Sequence, residues 1–237
     1  MSRAVASACI EPTQILIVPV MHKLHQGNAL YGYSDIYRLV AEFRPDQVGV
    51  EIRQEDLDRG DDYLARNYPA EMVHLAKIYE SRVFGFDWLG DDLAGKAVPD
   101  DWWKKHSRVK QLERSMDAAP QDRTPNDRRL SAQLASLSER QEQIAVTATA
   151  TTLADGRYDA VTAEYYATLK HLTDGTQYSV ISQFYAARDK HLNDNVIHCL
   201  HGMKGCRVAI VTGMDHHGPM MKAIEHRRDC VRLRPVF

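Results

Sequence analysis

The fold is decided by the stretch Ile15-Leu16-Ile17-Val18-Pro19-Val20-Met21, a continuous apolar run rich in β-branched residues. Such a run is typical of a strand that is buried on both faces of a parallel sheet. Further strand-like runs follow at residues 47–52, 82–88, 206–212 and 229–233. Because helix-favouring segments separate the first three runs, the alternation predicts an α/β fold with a mainly parallel central sheet flanked by helices.

The middle of the chain, residues 99–174, has a different pattern, because it is charged and helix-favouring and contains no strand-like run. This pattern predicts a helical insertion or cap. The insertion would separate the N-terminal half of the α/β core, residues 1–98, from its C-terminal half, residues 175–237. A long helix predicted over residues 178–201 would return the chain to the sheet.

Length and charge limit the classes of partner that we expect. The chain has 237 residues and a formal net charge of -2, so it can bury a sizeable core and shows no general attraction to nucleic acid or to membranes. No apolar run approaches the ~18 residues of a membrane-spanning helix. We therefore expect a small-molecule or peptide substrate and no nucleic-acid or membrane partner. An oligomer is possible.

The cysteines indicate the redox compartment. The four cysteines are Cys9, Cys199, Cys206 and Cys230, and they form no CxxC pair, which argues against a structural zinc site built on thiolates. Because the chain shows no export signal, we expect reduced, mostly buried thiols and a cytoplasmic location.

Two histidine clusters follow strand-like runs near the two ends of the chain. His22 directly follows the first run, and His25 lies three residues further on. The second cluster, Gly213-Met214-Asp215-His216-His217-Gly218, precedes a helix predicted to begin near Pro219. Ligands of open α/β folds bind at the carboxyl ends of the strands, so both clusters are predicted to share one site. The alternative is that a single histidine caps a turn or bonds a backbone carbonyl.

A carboxylate adds a third element to this site. Glu51 ends the second strand-like run, where burial is costly unless the carboxylate is paired or binds a metal. Two histidines and one carboxylate are a common ligand set for a catalytic divalent metal. His22, Glu51 and His216 are therefore predicted metal ligands. The alternative is a salt bridge between Glu51 and Arg53, two residues further along the strand.

Other side chains are candidates for supporting roles. Asp87 ends the third run and would either orient a ligand histidine or cap a turn. Arg188 lies on the long predicted helix, where it would stabilise a substrate carboxylate or a developing oxyanion. His25 or His217 would act as proton shuttle. The pair Trp102-Trp103 is interpreted as core, with an aromatic lip over a pocket as the alternative.

These motifs together resemble the TraB/TIKI group within the erythromycin esterase/ChaN-like superfamily. That superfamily has two GxxH elements after strands, a Glu at the end of the second strand and a Glu-Arg-Asp helix. The matching segments cover parts of residues 15–88 and 178–233 and are Gly213-Met214-Asp215-His216, Val50-Glu51-Ile52-Arg53, Ala187-Arg188-Asp189 and Pro19-Val20-Met21-His22. This chain has Pro19 in place of the first glycine and Ala187 in place of the helical glutamate.

The resemblance implies three kinds of chemistry. TIKI-like members imply metal-dependent peptide hydrolysis with the histidines and the Glu as ligands. Esterase-like members imply that histidine and glutamate activate water without a metal, and ChaN-like members imply haem or iron binding. Arg53 belongs to the second-strand motif and is counted with the candidate catalytic residues.

The leading hypothesis is a metal-dependent or His/Glu-assisted hydrolase that acts on a peptide, an ester or a related small molecule. The alternative is a non-catalytic protein that binds haem, a metal or a small molecule. A third interpretation is a scaffold whose insertion recruits a partner while the histidine site stays independent of it.

Overall fold

The computed structural model describes residues 11–118, 124–227 and 230–236 and contains one five-stranded sheet. All strand pairs are parallel, in the order β3-β2-β4-β1-β5. The strands are Thr13–Val20 (β1), Gln47–Val50 (β2), Val83–Gly85 (β3), Arg207–Gly213 (β4) and Val231–Arg234 (β5). The predicted α/β fold with a parallel central sheet flanked by helices is confirmed. Of the run predicted at 229–233, residue 229 lies outside the described residues.

The described residues contain ten α-helices. They are Tyr33–Phe43 (α1), Asp61–Asn67 (α2), Ala70–Tyr79 (α3), Trp102–Lys105 (α4), Arg108–Ala118 (α5), Pro125–Val146 (α6), Ala150–Leu153 (α7), Arg157–Thr173 (α8), Ser179–Leu200 (α9) and Met214–Glu225 (α10). Within this part of the chain, no helix is long and apolar enough to cross a membrane. The thiols of Cys199 and Cys206 are free and partly exposed rather than buried.

The sheet is buried on both faces, as the continuous apolar run of β1 predicts. Leu16 and Val18 join the core cluster that contains α1 and α3, whereas Ile15 and Ile17 join the cluster that contains α9 and α10. Successive strand residues point to opposite faces, so a strand covered on both sides needs apolar residues at every position.

The connections of β1 and β4 create a crevice at one end of the sheet. These strands are neighbours in the sheet. The chain leads from β1 through α1 to β2, which lies beyond β4, and from β4 through α10 to β5, which lies beyond β1. Strands that diverge in this way leave a crevice outside their carboxyl ends. Val20 pairs with Gly213 and Val50 pairs with Val211, so the ends of β1, β2 and β4 lie side by side.

Helix α10 begins earlier than the sequence predicts. It starts at Met214, immediately after β4, and includes Pro219, near which the helix was expected to begin. Proline is tolerated best in the first turn because it lacks a backbone N–H, and here it lies at the sixth position. Because α10 starts at Met214, His216 lies in the first turn of this helix and not in a loop.

Helix α8 ties the segment 99–174 to the core. The hydroxyls of Tyr158 and Tyr166 both donate to the carboxylate of Asp215, at 2.7 and 3.3 Å. Nδ1 of His217 lies 3.0 Å from Oδ2 of Asp159. Because these bonds hold the start of α10, the segment supports the histidine site. They argue against the scaffold interpretation, in which that site is independent of the insertion.

Candidate functional site

A cavity of about 1170 Å³ opens at the carboxyl ends of the strands. Five of the residues predicted from the sequence contribute to its wall: His22, Glu51, Asp87, Arg188 and His216. The segment 99–174 forms the other side of the cavity, to which Trp102 and Trp103 contribute, so this segment covers the site. Trp102 also packs in a core cluster, which means that both interpretations of this residue apply.

Glu51 is a buried carboxylate with one oxygen bound and the other turned toward a histidine. Oε1 accepts hydrogen bonds from Oγ1 of Thr212 at 2.5 Å and from the backbone N–H of Gly213 at 2.8 Å. Oε2 lies 3.8 Å from Nε2 of His22. Burial by itself raises the pKa of the Glu51 carboxyl, but the positive charges of His216 and His22 outweigh burial and hold this pKa below its usual value. Glu51 is therefore ionised at neutral pH.

His22 is held by its backbone and by a second carboxylate. Its φ of 50° lies in the left-handed region, which costs free energy for any residue other than glycine and is common at functional sites. Nδ1 donates to Oε1 of Glu71 at 2.6 Å, and Glu71 is fully buried. This bond leaves Nε2 facing Oε2 of Glu51. Desolvation lowers the pKa of His22, but the bond to Glu71 and the charge of Glu51 raise it above its usual value.

His216, in the first turn of α10, repeats this arrangement. Its Nδ1 donates to Oδ1 of Asp189 on α9 at 2.6 Å. Desolvation lowers the pKa of His216, but the bond to Asp189 and the charge of Glu51 raise it above its usual value. A carboxylate on Nδ1 is how proteins orient a histidine whose Nε2 binds a metal or transfers a proton.

Arg188 is a pinned positive charge in the cavity wall. Its Nη1 lies 2.6 Å from Oδ1 of Asp87 and also donates to the carbonyl of Trp88. Its guanidinium carbon lies 5.3 Å from the ring centre of Trp103. Burial raises the pKa of Asp87, partly offset by the charge of Arg188. Asp87 thus orients the arginine and also accepts from the N–H of Trp88 at 2.7 Å, as a turn cap would.

The structure does not bring His25 and His217 to the cavity wall. The ring of His25 is buried, and both of its nitrogens bind the main chain: Nε2 accepts from the N–H of Met21 and Nδ1 donates to the carbonyl of Tyr31, each at 2.7 Å. Burial lowers the pKa of His25. His217 is buried beside Asp159. Neither ring has the position of the expected proton shuttle.

Arg53 also points away from the cavity. It forms an ion pair with Asp56 at 2.7 Å, and its two terminal nitrogens donate to the carbonyls of Leu93 and Lys96. The alternative salt bridge with Glu51 is not formed, because β2 ends at Val50 and the chain then bends. Arg53 therefore anchors the segment that leads to α4.

The predicted ligands His22, Glu51 and His216 offer the donor atoms that divalent metal ions prefer, but the three side chains are not arranged around one metal position. Nε2 of His22 and Oε2 of Glu51 are 3.8 Å apart, a separation that two metal bonds of ~2.0–2.2 Å can span. His216 lines the same cavity. Over residues 11–118, 124–227 and 230–236, however, no group of three His, Cys, Asp or Glu side chains is arranged to hold a metal ion.

Gly213 permits the close approach of the site residues, and this provides a test. A Cβ at this position would lie 2.9 Å from Nε2 of His22 and 3.4 Å from Oε2 of Glu51. We expect Gly213→Ala to displace both groups. If the hydrolase activity predicted from the sequence is present, kcat/KM should fall by about 10²-fold, because displacements of about 1 Å have effects of this size. The control is Gly60→Ala, whose Cβ meets nothing within 4 Å. Equal activity of the two variants would show that Gly213 does not border the reacting groups.

Glu71 is the functional residue that the sequence did not indicate. It lies in the first turn of α3, twenty residues after Glu51, and no motif connects it with His22. Asp189 had a signal, because it follows Arg188 in the Arg-Asp element. Comparisons of the chain with protein-family models, curated proteins and solved structures give no match. The family resemblance therefore rests on the short motifs alone.

Proposed function

We propose that the protein is a hydrolase in which His22 and Glu51 activate a water molecule for attack on the carbonyl of an ester, a peptide or a related small molecule. One observation carries the proposal: the ionised Oε2 of Glu51 lies 3.8 Å from Nε2 of His22 in the wall of a large cavity. A general base within reach of a bound water is the arrangement that such catalysis needs.

The first step uses His22 in its neutral form, which its raised pKa confines to the upper part of the active pH range. Water bound between Nε2 and Oε2 transfers a proton to Nε2, and the resulting hydroxide forms a bond to the carbonyl carbon. The imidazolium ion of His22 is stabilised by Glu71 on one side and by Glu51 on the other. Carboxylates in these positions lower the free energy of the charged ring without taking its proton.

The second step uses Arg188 and His216. The tetrahedral oxyanion develops near the fixed guanidinium of Arg188, which lines the same cavity. His216 in its protonated form then donates a proton to the leaving oxygen or nitrogen as the bond to carbon breaks. The raised pKa of His216 favours this form, and the bond to Asp189 orients the ring.

This division of roles predicts that two substitutions move different limbs of the pH profile, both to lower pH. The bond to Glu71 raises the pKa of His22, so Glu71→Gln should lower it and move the acid limb of kcat/KM to lower pH. The bond to Asp189 raises the pKa of His216, so Asp189→Asn should move the alkaline limb to lower pH. Each variant should also lose about 10–100-fold in rate, because the histidine is less well oriented. Profiles in which neither limb moves would contradict the assignment.

A divalent metal ion remains the alternative form of this proposal. His22, Glu51 and His216 would hold it, and the ion would lower the pKa of a bound water to ~7. Binding requires neutral histidines, so raised histidine pKa values would make affinity for Zn²⁺ or Mn²⁺ fall as pH is lowered. Calorimetric titration with each ion at pH 6 and pH 8 measures how the affinity changes with pH.

We also propose membership of the TraB/TIKI-like group. The cytoplasmic location, the absence of a nucleic-acid partner and an oligomeric state stay predictions.

The test of hydrolysis is a panel of esters and peptides, assayed with and without added divalent ions. We expect turnover by the wild-type protein and a loss of about 10²–10⁴-fold in His216→Ala. A wild-type protein that hydrolyses nothing in the panel, or a His216→Ala variant with unchanged rates, would contradict the proposal.

The second candidate function is non-catalytic binding of haem or another small molecule in the same cavity. It is favoured by the volume of the cavity and by the accessible Nε2 of His22. An absorbance scan with added haem separates the two functions. A shift of the Soret band that His22→Ala abolishes, together with an inactive panel, would support binding over hydrolysis.

A further inference from the structure

One part of the cavity wall is built from aromatic rings. We call Trp103, Tyr165, Tyr166 and Tyr185 the aromatic wall; all four line the cavity and are partly buried. The ring centres of Tyr165 and Tyr166 are 5.4 Å apart, and those of Tyr166 and Tyr185 are 5.3 Å apart. The three tyrosine rings thus form one continuous surface. Helices α4, α8 and α9 contribute the wall, so the segment 99–174 supplies most of it.

The hydroxyls of Tyr166 and Tyr185 are already bound to protein groups. The hydroxyl of Tyr166 donates to Asp215 at 3.3 Å. The hydroxyl of Tyr185 donates to Oε1 of Glu113 at 2.6 Å and accepts from Nζ of Lys110 at 2.9 Å. Because these two hydroxyls are bound elsewhere, Tyr166 and Tyr185 offer a ligand mainly ring carbon.

From this arrangement we propose that the cavity selects carboxylic esters or amides whose acyl part carries a planar aromatic group. The aromatic group packs against the aromatic wall, and the scissile carbonyl lies at His22 and Glu51, which line the same cavity. The bond-breaking part rests on the proposed function, whereas the binding part does not. The volume of about 1170 Å³ exceeds the ~300–1,000 Å³ of common ligand pockets, so a fused ring system fits.

A preference for aromatic over saturated rings distinguishes aromatic contacts from the burial of apolar area alone. An aromatic ring against Tyr185 gains stabilisation beyond the area that it buries, equivalent to about 2–10-fold in affinity, and a saturated ring of similar size does not. The matched probes are 2-naphthylacetate and its saturated analogue decahydro-2-naphthylacetate. Both have the carboxylate of a hydrolysis product and neither contains a scissile bond.

The experiment is a calorimetric titration of the full-length protein with both probes. The wild-type protein should bind the aromatic probe about 3–10-fold more tightly than the saturated one. Tyr185→Phe keeps the ring and leaves Lys110 paired with Glu113 at 2.7 Å, so its affinity should stay within about twofold. Tyr185→Leu should reduce the preference, as should Trp103→Leu, which provides a second variant on a different helix.

The outcomes separate this inference from the proposed function. Equal affinity for the two probes, or Leu variants that keep the preference, would overturn the inference even if esters are hydrolysed. Rates on the 4-nitrophenyl esters of the two acids complete the test, because their leaving group is the same. Preferential binding of 2-naphthylacetate with no hydrolysis of either ester would support the aromatic selectivity and contradict the hydrolase.

Discussion

Replacing Glu51 with Gln is expected to lower kcat/KM by about 10²–10⁴-fold without unfolding the protein. Gln has the same shape, and its carbonyl oxygen can accept the bonds from Thr212 and Gly213 that Oε1 accepts now. It lacks the negative charge that stabilises the protonated form of His22. The loss should therefore appear in the rate of the chemical step, measured as kcat on the best substrate of the panel.

The matched control is Glu42→Gln, a substitution of the same kind on the exposed face of α1. Its activity should equal that of the wild type. Far-ultraviolet circular dichroism and thermal unfolding of both variants show whether the fold is kept. A Glu51→Gln variant as active as Glu42→Gln would remove Glu51 from the mechanism.

Replacing Arg53 with Met is expected to lower the free energy of unfolding by about 3 kcal/mol, because the buried Asp56 loses one of its two cation partners and keeps only the partly exposed Arg59. Asp56 is fully buried, and the carbonyls of Leu93 and Lys96 would lose their donor. For a chain of this size the Tm should fall by about 6–12 °C. Urea unfolding followed by fluorescence measures the change.

Arg38→Met is the control for Arg53, since Arg38 forms only exposed ion pairs on α1. Its free energy of unfolding should change by no more than about 0.5 kcal/mol. The family motif placed Arg53 among the catalytic residues, whereas the structure places it outside the cavity wall. Unchanged stability together with lost activity in Arg53→Met would favour the motif over the structure.

The sequence was informative where strand periodicity decides position. Continuous apolar runs identified the buried parallel strands, and the first polar residues after them, His22 and Glu51, had to lie at the carboxyl edge of the sheet. His216 follows from β4 for the same reason. The five predicted residues that reach the cavity are at strand ends or, in the case of Arg188, on the helix that packs beside them.

The sequence did not predict which neighbouring side chain reaches the cavity, because that direction depends on the local backbone or on packing between distant elements. His22 and His25 belong to the same short 3₁₀ turn, and only the left-handed backbone of His22 sends one ring to the cavity while the other binds the main chain. His217 follows His216 on α10, where successive side chains point about 100° apart. Glu71 meets His22 only because α3 packs across the end of the sheet.

The central claim is that His22 and His216 act on one substrate as parts of a single site, and a double-mutant cycle tests it most directly. We expect His22→Asn and His216→Asn each to lower kcat/KM by about 10²–10⁴-fold, and the double variant to be little worse than the poorer single variant, because residues that act as a unit are not additive. Losses that multiply in the double variant would show that the two histidines act independently and would contradict the shared site.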